Sequence, residues 1–214
     1  MITHLNDRDT QPKEPAPIST TLTAGWIPQK ETLSTHEIKP GDVLRNRELT
    51  NIQGEAVQIP DPERVVHLQF RRYAGCPVCN LHLRSIATRH DELVAAGLRE
   101  VVVFHSSADT MLPLQGELPF AAIADPEKKL YAEFGVEAKM SPLAALNPRS
   151  WMAAGRALTQ APSLKGATGK GEEHMGLPAD FLIGADGRVI AVKYGKRVDD
   201  QWSVQELLGL AKGR

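Results

Sequence analysis

"HLQFRRYAGCPVCNLHLRSIA" (residues 67–87) decides how the rest of the chain reads. It holds the only two cysteines, Cys76 and Cys79, in a Cys-x-x-Cys arrangement. Just upstream, "RVVHLQF" (64–70) alternates Val, Leu and Phe with polar residues, the period of a strand. Downstream, residues 77–96 read as a helix. Leu83, Ile86, Ala87, His90, Leu93 and Val94 recur at three- and four-residue spacing on one face, and Gly97 is a fitting stop. The cysteines therefore mark a strand-to-helix junction.

That placement carries chemistry. A cysteine at a helix start faces unpaired backbone N–H groups and the positive end of the helix dipole. Both stabilise a thiolate and lower the thiol pKa from its free value of about 8.5. Pro77 suits the first helical position, where a missing N–H costs nothing. Arg71 and Arg72 add positive potential from just upstream. Cys76 is thus the candidate nucleophile toward peroxides or disulfides. Cys79, about one turn into the helix, is within disulfide reach and suits the second step, attack on the oxidised Cys76.

The remaining composition bounds the setting. With 214 residues the chain suits one well-buried domain with additions. Asp and Glu number 26 against 25 Lys and Arg, so there is no electrostatic footprint for nucleic acid or an anionic membrane. No window approaches the roughly 18 apolar residues of a membrane span. "MITHLNDRDTQPKEPAPIST" lacks the basic and apolar regions of a secretory signal, and a cytoplasmic location is expected. There, a lone Cys-x-x-Cys points to redox catalysis or metal binding rather than a structural staple.

Residues 1–35 read as a polar, Pro-rich tail, or as an arm that packs through Leu22, Trp26 and Ile27. A second copy of the chain is a candidate partner for such an arm. Residues 36–214 form the folded domain, starting near "IKPGDVL". "EVVVFHS" (100–106) suits a central parallel strand. A short helix is expected at 108–115 and a third strand at "FAAIAD" (120–125). Asp125, Pro126 and Glu127 read as N-cap, first helical position and acidic first turn of "EKKLYAEFGV". Residues 138–176 are an inserted helical and loop segment, whose "ATGKGEE" lacks the spacing of a phosphate cradle and is a candidate lid over the cysteines. "ADFLIG" and "GRVIAVKYG" form a hairpin, and Asp199 or Asp200 caps a last helix. The fold class is α/β: a thioredoxin-like three-layer α/β/α sandwich with a mixed sheet.

The residues carry a family resemblance as well. "FRRYAGCPVCNLHL" resembles a pattern of peroxiredoxin-like members of the alkyl hydroperoxide reductase/thiol-specific antioxidant (AhpC/TSA) superfamily, matched by Phe70, Arg72, Cys76, Pro77, Cys79, Asn80 and Leu83. "IKPGDVLRNRELTNIQGEAVQI", "ADPEKKLYAEFGV" and "GLPADFLIGADGRVI" are similar to its opening, Asp-rich turn and closing hairpin. The resemblance covers roughly 38–136 and 176–210. It implies a thioredoxin fold and a thiol-dependent oxidoreductase acting on a peroxide or a disulfide. Cys76 would react, Cys79 resolve, Arg72 stabilise the thiolate, and Pro178, after a cis bond, shape the site opposite them. An external thiol reductant such as a thioredoxin or glutathione system would supply electrons, with no bound cofactor. One departure stands out. Typical peroxiredoxins have Pro and Thr/Ser where this chain has Gln69 and Tyr73. A second arginine near the cysteine has only Arg149 and Arg156 as candidates.

Two other classes fit. A redox-inactive thioredoxin-fold binding module would use the arm and an apolar patch at Trp151. A metal site would join Cys76, Cys79 and His82 to His67, His90, His105 or His174, though closed zinc sites draw ligand pairs from separate elements. His90, on the apolar helix face, is expected as a satisfied core histidine.

Overall fold

The computed structural model describes residues 37–136 and 176–213, with Pro148, Met152, Gly155, Arg156, Thr159, Gly169, Glu172 and His174. The 1–35 arm, with Leu22, Trp26 and Ile27, and most of the 138–176 insertion, Arg149 and Trp151 included, lie outside the described residues.

The described chain runs β1 (Arg47–Thr50), β2 (Ala56–Ile59), β3 (Val65–Phe70), α1 (Pro77–Thr88), α2 (His90–Ala95), β4 (Leu98–Phe104), α3 (Ala108–Gln115), β5 (Ala121–Ala124), α4 (Lys129–Glu133), β6 (Ala179–Ile183), β7 (Val189–Tyr194) and α5 (Val204–Lys212). Five strands form one mixed sheet in the order β5-β4-β3-β6-β7. β3, β4 and β5 are parallel; β6 runs antiparallel to β3 and β7 to β6. β1 and β2 form a separate antiparallel hairpin.

Each sheet face buries its own core. Leu83 and Ile86 of α1, Leu93 of α2, Met111 of α3 and Leu207 of α5 pack with Val102, Phe104 and Leu182 on one face. On the other, Val57 and Ile59 of β2 and Tyr131 and Phe134 near α4 pack with Val66, Leu68, Phe70, Val101 and Phe181. One outer layer is therefore helical, and the other is shared by α4 and the β1–β2 hairpin. Phe70, Phe134 and Phe181 meet at ring centroid distances of 5.1 to 5.7 Å, the spacing of favourable aromatic pairs.

Three local expectations change. The 77–96 helix is two, broken at Arg89 (φ −115, ψ 24). Asp125 does cap α4, its carboxylate accepting from Lys129, Leu130 and Tyr131 N–H. It does so across an intervening turn in which Lys128 is left-handed (φ 55), so Pro126 is not the first helical residue. The last helix is capped by Ser203 in a reciprocal box with Glu206, not by Asp199 or Asp200. Asp200 instead accepts from Lys196 N–H at 3.0 Å. Gly97 ends the second helix with φ +77, and Gly187 (φ +79) turns the β6–β7 hairpin, as the sequence indicates.

Candidate active site

β3 ends at Phe70 in the sheet interior, and α1 begins at Pro77 after six linking residues. The link is pinned from several sides. Arg71 N–H continues the ladder to Val103 O at 2.9 Å, and Tyr131 Oη bonds the Arg71 carbonyl and, at 3.1 Å, the Val103 carbonyl. Ala74 N–H donates to Ser106 Oγ at 2.8 Å. The Ala74 carbonyl accepts from Asn80 Nδ2 at 3.1 Å and Gln115 Nε2 at 2.8 Å. Asn80 thus earns its place in the motif as a clamp on the approach to the cysteines. Gln115, Ser106 and Tyr131 give no comparable signal in the sequence, because they come from other elements.

Cys76 is the N-cap of α1 and Pro77 its first residue. Cys79 N–H points at Cys76 Sγ, 3.3 Å away, so a helix-end amide that has no intrahelical partner faces the sulfur. Arg72 Nη2 lies 2.9 Å from the same sulfur. Both cysteines are free thiols, 0% and 1% exposed. Burial pushes both pKa values up. The hydrogen bond between the two sulfurs and the Arg72 guanidinium hold the pair's first ionisation below the ordinary thiol range. With one sulfur charged, the other is pushed well above that range. The guanidinium itself stays charged, since the two sulfurs more than offset its burial.

Arg71 has a different task from Arg72. It is wholly buried and donates to Asp180 Oδ1 at 2.7 Å and Gln69 Oε1 at 2.8 Å. Asp180 also lies 3.3 Å from His67 Nε2, and His67 Nδ1 is 2.6 Å from Glu100 Oε2, which accepts from Gln69 Nε2 at 2.5 Å. These five side chains form a buried polar seam beside Trp202, whose ring lies 5.9 Å from His67. Burial alone would push the His67 pKa down; the carboxylates of Glu100 and Asp180 raise it to about 9. Burial likewise works against the Asp180 carboxylate, yet Arg71 and His67 hold it well below the usual range. His67 and Asp180 therefore each favour their charged form within the seam. The Arg71 charge also reaches Cys79 and lowers its pKa.

Tyr73, the residue in place of Thr/Ser, is 5% exposed. The His174 ring stacks on it at 4.4 Å, and burial pushes its phenol up to about 12. The His174 carbonyl accepts from Arg72 Nη1 at 2.9 Å. Of the "ATGKGEE" stretch expected as a lid, Gly169 lies against Tyr73 and Glu172 bonds Ser106 Oγ, while the rest of it lies outside the described residues.

Other expectations are corrected. Pro178 does not follow a cis bond; among the described residues that geometry is found at Ile59–Pro60. The Pro178 carbonyl accepts from Gly195 N–H at 2.9 Å where β6 and β7 meet. Arg156 is exposed. Among the described residues no three His, Cys, Asp or Glu side chains converge as metal ligands. His82 lies in the field of Arg71, Asp180 and His67, its pKa driven well below normal by burial first and Arg71 second. His90 is half-buried with its ring 5.6 Å from that of Phe120, and its Nδ1 has no hydrogen-bond partner among the described residues. No helix among the described residues is long and apolar enough to cross a membrane.

A parallel β3-β4-β5 core extended by an antiparallel hairpin, with Cys-x-x-Cys opening the helix after β3, defines a thioredoxin-like thiol protein. The chain belongs to the AhpC/TSA family, whose profile matches residues 40–192. Among solved structures it is similar to the peroxidoxin BcpB from Mycobacterium tuberculosis, with 16% identity, TM-score 0.59, and coverage of 83% of this chain and 98% of that one. It is also similar to the reduced 2-Cys peroxiredoxin of Plasmodium vivax, with 14% identity, TM-score 0.58, and coverage of 82% and 81%. A putative thiol:disulfide interchange protein DsbE from Chlorobium tepidum matches with 19% identity, TM-score 0.52, and coverage of 82% and 99%. These likenesses speak for the fold. No curated protein sequence matches the chain.

Proposed function

We propose that the protein is a thiol-dependent oxidoreductase that reduces a peroxide or a disulfide through Cys76 and Cys79. The observation that carries this reading is the 2.9 Å approach of Arg72 Nη2 to Cys76 Sγ at the α1 N-terminus. A charged donor and a helix-end amide meet at one sulfur, and both stabilise its thiolate. Cys76 is the nucleophile, Arg72 its stabiliser, and Cys79 the resolving thiol.

With a peroxide, the Cys76 thiolate attacks one oxygen and the O–O bond breaks. The sulfur becomes a sulfenic acid, and the departing oxygen leaves as alcohol or water after taking a proton. Cys79, as thiolate, then attacks the Cys76 sulfur; an S–S bond forms and hydroxide leaves as water. Two thiols have lost two electrons and two protons to the peroxide. With a disulfide substrate, Cys76 forms a mixed disulfide and Cys79 displaces the second substrate thiol. In both cases an external dithiol, such as a thioredoxin or the glutathione system, returns the electrons. No cofactor is required, and free thiols of this kind suit a reducing compartment such as the cytoplasm.

Disulfide exchange is favoured over fast peroxide reduction by one feature. The side chain three residues before Cys76 is Tyr73, buried under His174 and held protonated, rather than a short hydroxyl beside the sulfur. Pro178 is retained as a shaping residue through its bond to Gly195, at the end of the strand that neighbours β3.

Trapping tests the division of labour. Reduced Cys79→Ser protein, offered an activated small disulfide, should accumulate a mixed disulfide on Cys76. Cys76→Ser should accumulate far less on Cys79. The reverse pattern would exchange the two roles.

A further inference from the structure

The parallel strands have two ends. Cys76 follows the C-terminal end of β3. A cavity of about 490 Å³ opens at the other end, where Arg64, Arg99 and Ala121 stand at or next to the starts of β3, β4 and β5. His90 and Val94 of α2 close one side of it, and the turn between β1 and β2 closes another. Val57, Val94, Leu118 and Phe120 give it an apolar wall. A mostly apolar concavity of this size with a few polar groups is the usual form of a small-molecule site.

Two lining guanidiniums share one carboxylate. Arg99 Nη1 lies 2.6 Å and Arg64 Nη2 3.6 Å from the same oxygen, Asp61 Oδ2. The other oxygen, Oδ1, accepts from Glu63 N–H at 2.8 Å and Arg64 N–H at 3.0 Å. Burial works against the Asp61 charge, but the Glu63 amide and Arg99 hold its pKa below the ordinary value. Guanidiniums stay protonated, so the pair carries one positive charge more than Asp61 offsets. The two acidic residues of the lining are each engaged through one oxygen: Glu55 Oε2 accepts from Asn51 Nδ2 at 2.9 Å, and Glu100 Oε2 lies 2.6 Å from His67 Nδ1. Buried polar atoms ordinarily have a hydrogen-bond partner. On three lining residues, Arg64 Nε, His90 Nδ1 and Glu100 Oε1 are buried with none among the described residues.

We propose that this cavity binds a small aromatic carboxylic acid, its carboxylate held by Arg64 and Arg99 and its ring laid against Phe120, Leu118 and Val94. A guanidinium presents a planar fork of N–H donors that a carboxylate matches. The apolar wall takes the ring out of water. A cationic ligand would meet the same two guanidiniums with the wrong sign. An uncharged ring would gain the wall but leave the extra positive charge without a counter-ion. The site stands apart from the thiol chemistry, so it does not depend on the roles of Cys76 and Cys79.

Titration of the full-length reduced protein with 2-naphthoate, followed by two-dimensional amide NMR, tests this, with the uncharged 2-naphthylmethanol as control. Naphthoate should bind saturably and shift amides within 51–57, 90–94 and 118–121, the segments that line the cavity. Naphthylmethanol should bind about tenfold more weakly. The Arg64 side chain is 41% exposed, so Arg64→Gln should fold as the native protein does. It should weaken naphthoate about three- to tenfold and leave naphthylmethanol unchanged. Val94, 39% exposed at the rim, offers a second variant. Val94→Trp fills the cavity and should weaken both ligands. Shifts confined to other segments, no saturation in the millimolar range, or equal affinity for the acid and the alcohol overturns the proposal. Native affinity for naphthoate in Arg64→Gln, or for both ligands in Val94→Trp, overturns it as well.

Discussion

Replacing Arg72 with Ala should weaken the thiolate more than any other single change outside the cysteines. In the structure a guanidinium nitrogen sits 2.9 Å from Cys76 Sγ. Coulomb attraction at that separation is about 6 kcal/mol at an effective dielectric of about 20, before both ions are charged for leaving water. Hydrogen bonds to charged groups are worth about 1.5–3 kcal/mol net, and this range is the better guide. Converted at about 1.4 kcal/mol per decade, it puts the pH of half-maximal thiol reactivity roughly one to two pH units higher. Below that pH the rate with iodoacetamide falls about ten- to a hundredfold. Arg72→Lys keeps a charge but cannot serve both Cys76 and the His174 carbonyl, so it should fall between Ala and the native protein. The assay is the alkylation rate of reduced protein from pH 4 to 10, with circular dichroism to confirm the fold. A pH profile that coincides with the native one in a folded Arg72→Ala protein would refute the argument that this guanidinium sets the thiolate.

Three more outcomes follow from the same geometry. Tyr73→Phe should change the peroxide rate less than about threefold, since a buried phenol held protonated below about pH 12 makes no peroxide contact the mechanism needs; a larger loss in stopped flow would give that hydroxyl a role. His67 is charged in the fold up to about pH 9 but titrates near its ordinary value when unfolded. Its contribution to stability is therefore full below about pH 6.5 and is lost as pH rises through about 9, by an amount on the order of 3 kcal/mol. Urea denaturation at both ends of that window, compared with His67→Gln, should show a steeper loss in the native protein, and parallel losses would contradict the charged seam. Gln115→Ala removes a buried donor from both the Ala74 carbonyl and Asn80 Oδ1, and should lower stability by about 1–3 kcal/mol, read as a reduced denaturation midpoint.

Strands, hairpin and the cysteine-bearing helix are legible because each announces itself within a few residues: "EVVVF" is apolar throughout, Gly97 and Gly187 take positive φ, and Pro77 opens α1. Long-range polar partnerships are not. "RVVHLQF" alternates as a strand with one solvated face would, yet His67 and Gln69 are both 0% exposed. Their burial depends on Glu100 from β4 and Asp180 from β6, which lie 33 and 113 positions from His67 in the chain. The same cause divides two adjacent arginines. Just past the end of β3, Arg71 turns into the seam and Arg72 toward the sulfur. The Ser203 cap prevails over Asp199 and Asp200 because Glu206 closes a reciprocal box with it, whereas Asp200 is occupied by Lys196 N–H and Lys193.

The most direct test of the account is stopped-flow oxidation of the reduced protein across pH, with hydrogen peroxide and separately with a small disulfide, followed by the mass of the product. Reaction with at least one of them should be faster than with a free thiol, with a half-maximal pH below the ordinary thiol value of about 8.5 and a product in which Cys76 and Cys79 are joined. Reaction no faster than a free thiol with either oxidant, or a fast reaction that leaves Cys79 unpaired, would contradict it.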